Sequence, residues 1–165
     1  MGEDIYSAVL DEFELLAARA PTAESLMRSI ANRLREAMVR FNWVAFYMVD
    51  PTKPRILLLG PYSGMDTPNA RIPFDQGICG AVASSGKTIV VQSVKDDPRY
   101  LPDSEYTRSE IVLPIFAHGK VVGEIDINSF FEAAFNDRMR ECLERCATLV
   151  GSYLERHPPA SEGYS

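Results

Sequence analysis

Histidine is nearly missing from this chain, which holds only His118, in an expected turn, and His157, near its C-terminal end. A histidine-based catalytic or metal site therefore has little to build on. Cysteine is almost as scarce: Cys79, Cys142 and Cys146 follow no metal-ligand spacing and set up no disulfide framework. Cys142 and Cys146 stand one helical turn apart, where two small buried side chains on one helix face are the expected reading. Neither a metal nor a cofactor is expected. Basic residues number 17 against 23 acidic ones, net charge −6, and Lys and Arg nowhere cluster. That excludes a nucleic-acid backbone or an anionic membrane surface as partner. No apolar run approaches the length of a membrane span, and the N-terminus opens on acidic residues instead of a basic stretch, so a cytoplasmic protein is expected.

What is present is apolar material for one core: 46% of 165 residues. A single domain over 1–157 is expected, with 158–165 as a small polar disordered tail. The chain is organised around Arg71 to Tyr100, in which Pro73 ends an extended piece, Gly77 and Gly80 bracket Cys79, and Ala81–Ser85 make a short helix closed by Gly86. The small residues let such a helix lie close to a sheet. Its approach through Asp75, Gln76 and Gly77 leaves the N–H groups of Gly77, Ile78 and Cys79 free for the negative end of a ligand.

Ahead of this stretch, Ile5–Ala20 has helical apolar spacing and stops at Pro21; Thr22 then reads as the N-cap of a second helix to about Met38. Trp43–Val49 is a continuous β-prone run that suits a strand covered on both faces, and Arg55–Gly60 is its hairpin partner. Residues 61–69 read as a loop leading into a brief extended piece, Ala70–Pro73. After the central helix come a short strand, Thr88–Val91, and a loop, Lys95–Ser104, with one helical turn. Glu110–Phe116 and Lys120–Ser129 form a second hairpin, and Asn136–Arg156 a closing helix with Met139, Cys142, Leu143, Cys146, Leu149, Val150 and Tyr153 on its apolar stripe. This alternation describes an α+β domain with an antiparallel sheet. The terminal helical stripes predict a homodimer, through the face of Met139, Cys142 and Cys146 or through the first helix.

The order of elements, with RIPFDQGICGAVASSGK, the VKDDPRY loop and EIVLPIFAHGKVVGEIDI, resembles a GAF domain over residues 5–156. The resemblance implies about six strands, with the N- and C-terminal helices on one face and a short helix and loops over a pocket on the other. NWVAFYMVD, LLLGPYSG, RIPFDQGICG, SEIVLPIF and GEIDINS together resemble the free methionine-R-sulfoxide reductase subfamily. That subfamily works with three cysteines, of which only Cys79 is matched. Asn69 stands where the resolving cysteine is expected and Asp103 where the attacking one is. A carboxylate cannot act as a soft nucleophile that is oxidised and recycled through a disulfide.

The ligand-side positions of the resemblance fall on Trp43, Tyr47, Glu110, Asp126 and Asn128. Taken singly, Glu110 and Asp126 read as ordinary solvated strand residues, and Trp43 and Tyr47 as core aromatics. As a set they read as a pocket. Two carboxylates would take an ammonium, the N–H groups at Gly77, Ile78 and Cys79 a carboxylate, and Trp43, Tyr47 and Tyr62 would enclose the side chain, with Asp103 in the covering loop. The expected function is a sensory or regulatory domain binding a small zwitterion without reductase turnover. The alternative is an enzyme using Cys79 alone as its catalytic residue, which would require thioredoxin or a small thiol. The resemblance is not to cyclic-nucleotide GAF domains, since NSFFEAAFND lacks the Lys of their signature, nor to tetrapyrrole-binding ones.

Overall fold

A computed structural model describes residues 4–158. The expected polar tail lies outside these residues, save Pro158. Two helices come first, α1 (Ile5–Arg19) and α2 (Ala23–Ala37). Asp4 caps α1 by accepting from the Tyr6 N–H, and Thr22 and Ser25 form a reciprocal capping box on α2. Strands β1 (Trp43–Val49), β2 (Ile56–Ser63) and β3 (Arg71–Pro73) precede α3 (Gly77–Ser85). Then come β4 (Ile89–Val91), a single 3₁₀ turn at Val94–Asp96, β5 (Ser109–Ala117), β6 (Lys120–Ser129) and α4 (Asp137–Arg156).

The six strands form one antiparallel sheet in the order β3-β2-β1-β6-β5-β4, so β1 and β6 occupy its centre. Alternation along them divides two cores. Val44, Phe46, Ile111, Leu113, Ile125 and Ile127 pack under α1, α2 and α4, whereas Trp43, Ala45, Tyr47 and Val112 share a smaller core with Ile78, Cys79 and Val82 of α3. The β5–β6 turn has positive φ at both His118 and Gly119, matching the twist of the paired strands. Among the described residues no helix is long and apolar enough to cross a membrane.

Two boundaries differ from the sequence expectation. Strand β2 runs three residues beyond Gly60, because a bulge opposite Ala45–Tyr47 lets Tyr62 and Ser63 pair with Ala45 and Val44. Helix α3 begins at Gly77 instead of Ala81, which puts Cys79 on a helical turn. Of the two surfaces expected to dimerise, the stripe holding Cys142 and Cys146 is spent on the chain's own core, since both are buried against α1 and the sheet. The outer face of α1 still shows Ile5 and Leu15 to solvent.

Candidate functional site

Helix α3 folds tightly against the Pro73–Phe74 backbone that leads into it because Gly80 permits it: a Cβ there would stand 2.7 Å from the Phe74 carbonyl oxygen. Cys79 of this helix lies over β6, where its thiol donates to Asp126 Oδ2 at 3.2 Å. No side chain caps the helix N-terminus at Gln76, so the first N–H groups remain available to whatever enters beside them.

Beneath α3 the central strand β6 alternates Ile125 and Ile127, which face the large core, with Glu124, Asp126 and Asn128, which face α3. Register places Glu110 of β5 opposite Asn128, and Tyr47 of β1 opposite Glu124. The three acids are interior: Glu110 is 5%, Asp126 4% and Glu124 0% exposed. The expectation of solvated strand carboxylates therefore fails, because β6 is paired on both edges and α3 covers this face. No salt bridge among the described residues reaches these acids. Burial raises Glu110 and Glu124 well above the usual carboxylate range, with the Asp126 charge adding to it. Asp126 is itself pushed up to about 6, by burial that hydrogen bonds from Glu110 and Cys79 partly offset. The Cys79 thiol is raised well above its ordinary value, first by burial and then by the charges of Asp126, Glu124 and Glu110. At neutral pH this is a thiol hydrogen-bonded to a carboxylate.

Two loops close the pocket. The Tyr47 hydroxyl donates to the Asn69 carbonyl at 2.7 Å, and Asn69 Nδ2 donates to the Pro102 carbonyl at 3.1 Å. Asp103 binds the Thr67 hydroxyl and accepts from Asn128 Nδ2 at 3.2 Å. The two positions expected to carry redox cysteines are thus in facing loops. Between them and α3 lies a cavity lined by Tyr47, Asn69, Ile72, Gly77, Ile78, Cys79, Leu101, Asp103, Glu110 and Asp126, with about 20 Å³ open to the centre of a water molecule. That is room for roughly one water-sized occupant.

Of the ten residues expected at the site, seven therefore line one cavity. Trp43 and Asn128 line a smaller neighbouring one that shares Asp103. Tyr62 lies further out, stacked obliquely on Trp43 at 6.2 Å, with its hydroxyl donating to Asp66 at 2.5 Å. Trp43 donates its indole N–H to the Met65 carbonyl at 2.9 Å. Glu124 was not foreseen. The signal was present in Glu124-Ile125-Asp126-Ile127-Asn128, where period-2 alternation puts three polar side chains on one face.

Comparison with known proteins agrees with this architecture. The GAF domain family profile matches residues 20–155. The free methionine-R-sulfoxide reductase of Saccharomyces cerevisiae is 35% identical over 68% of this chain, a stretch that spans 62% of that enzyme. GAF domain-containing protein A of Dictyostelium discoideum is 31% identical over 90% of this chain and 91% of its own length. Among solved structures, free methionine-R-sulfoxide reductase from Neisseria meningitidis, in complex with its substrate, superposes with a TM-score of 0.87 at 33% identity. That alignment covers 94% of this chain and 93% of the Neisseria chain.

Proposed function

This chain belongs to the GAF domain family, and on that premise we propose that it binds a small amino-acid-like zwitterion between α3 and the sheet, as a sensory or regulatory domain without sulfoxide reductase turnover. The observation that carries the reading is the pairing, in one pocket, of an acidic floor at Glu110 and Asp126 with the uncapped N-terminus of α3 at Gly77, Ile78 and Cys79. An ammonium placed on the first and a carboxylate on the second satisfy both ends of one molecule. The similarity to a reductase crystallised with its substrate makes free amino acids and their sulfoxides the first class to try.

An amino acid is larger than the present cavity. The reading therefore requires the segments carrying Asn69 and Asp103 to part, breaking the Tyr47 and Asn128 hydrogen bonds that hold them down. Turnover is disfavoured by chemistry. Cys79 faces Asn69 and Asp103 and no second thiol, and its own raised pKa keeps it from the thiolate form that attacks sulfur.

Thermal melting of the chelator-treated protein against the free amino acids, and both sulfoxide epimers of methionine, tests the binding. At least one should raise the midpoint in a saturable way, and an unmoved midpoint across the set would refute the zwitterion pocket. In a thioredoxin-coupled assay, methionine-R-sulfoxide should be reduced no faster than without the protein. Turnover abolished by Cys79→Ser would instead establish the single-cysteine enzyme.

A further inference from the structure

The pocket floor holds more acid than one ammonium group can use. A sulfur of Cys79 and one carboxylate oxygen each from Glu110 and Asp126 lie within 4.8 Å of one another, all three residues buried. A second observation stands apart from that cluster. Glu124 is fully buried beside the Cys79 thiol, and since that thiol donates to Asp126 Oδ2, neither Glu124 oxygen has a hydrogen-bond partner among the described residues. Asp126 Oδ1 is also buried without a partner. Buried carboxylate oxygens without a donor cost free energy that a bound cation beside them would offset.

We infer that Cys79, Glu110 and Asp126 form a site for one divalent transition-metal cation of the zinc type. The donor set selects the ion. Calcium and magnesium take oxygen ligands, whereas a thiolate with carboxylates suits zinc or cobalt(II). Bonds of about 2.0–2.3 Å place tetrahedral ligand atoms roughly 3.3–3.8 Å apart. Cys79 Sγ and Asp126 Oδ2 stand at 3.2 Å, so side-chain adjustments on the order of 1 Å close the set. As the ion binds, the thiol proton and any carboxyl proton on Glu110 leave to solvent. Three anionic donors around a dication leave one negative charge. Cys79, Glu110 and Asp126 all line the water-sized cavity, which leaves room for a water as a fourth ligand.

This site shares the acids of the proposed ligand pocket but does not depend on its ligand, and a metal and an ammonium would compete for Glu110 and Asp126. The test is a cobalt(II) titration of the full chain, treated with chelator, reduced, and free of amino acids. One cobalt per chain should bind with a sulfur-to-cobalt charge-transfer band in the near ultraviolet, displaced by zinc. Cys79→Ser should lose that band, and Glu110→Gln should weaken binding by at least about tenfold. Cys142→Ser with Cys146→Ser should leave both unchanged. Absence of the band in the wild-type chain, its persistence in Cys79→Ser, or its loss with Cys142 and Cys146 would each overturn the site. If circular dichroism shows Cys79→Ser unfolded, Glu110→Gln decides, and unchanged cobalt affinity in that variant overturns it too. Amino-acid melting shifts in chelator are read separately, so either idea can fail while the other stands.

Discussion

Burying Glu110, Glu124 and Asp126 together, with no basic side chain among the described residues paired to them, costs free energy that protons or a bound cation must offset. Glu110 is where a ligand's ammonium would be felt most directly, since it lies at the cavity and its oxygens neighbour Asp126. Glu110→Gln keeps the shape and removes the group that can ionise to meet an ammonium. For whichever amino acid proves to bind, calorimetry should find the affinity reduced by about 1–3 kcal/mol, with the melting temperature of the free protein unchanged or raised. Equal affinities for the two proteins would remove Glu110 from the binding machinery.

Helix α3 is the element that makes a site out of strand residues. Its placement rests on a close approach at Gly80, so Gly80→Ala should press the helix away from the Phe74 carbonyl and lift Cys79 off Asp126. Overpacking of this kind costs about 1–3 kcal/mol in denaturant unfolding, and cobalt binding should weaken with it. A variant as stable as the wild type would mean the helix shifts freely. The covering loops allow another test, since Asn69 and Asp103 sit in segments already hydrogen-bonded to each other through Pro102 and Thr67. Asn69→Cys with Asp103→Cys should form a disulfide on mild oxidation, which needs α-carbons within about 7 Å. Mass spectrometry showing only free thiols would mean the loops do not meet.

For the molecule as a whole, the buried acids set how stability depends on pH. Asp126 moves from 3.8 unfolded to about 6 folded, so the native state holds the proton more tightly. Its contribution is complete below pH 4 and lost as pH rises through 6. Glu110 and Glu124, also raised, extend the loss upward, and Cys79, Asp103 and Tyr47 face the same cluster. Surface carboxylates with lowered values, Glu12, Asp50 and Asp97, act with the opposite sign but have finished titrating by about pH 5. The urea midpoint of chelator-treated protein should therefore fall from pH 5 to pH 7, and Asp126→Asn should flatten part of that slope. A rising midpoint in the wild type would contradict the burial argument.

Local rules were enough for most elements. The Thr22 cap, the stop before Pro21, the β6 strand and the closing helix are all written in spacing and turn chemistry, which act between near neighbours along the chain. Local signals also mark Gly86 as the end of α3, where the chain takes a left-handed conformation. Its start at Gly77 was not legible, because two glycines in five residues argue against a helix until the sheet and Phe74 fill the space around them. Nor could Glu124 be told from a solvated strand residue. Its burial follows from β6 taking the central position, paired with both β1 and β5, and from α3 covering one face. The sequence alone determined which residues could form strands, caps and helices. Long-range pairing decided which acids lost their water, and with it where charge, thiol and helix N-terminus meet.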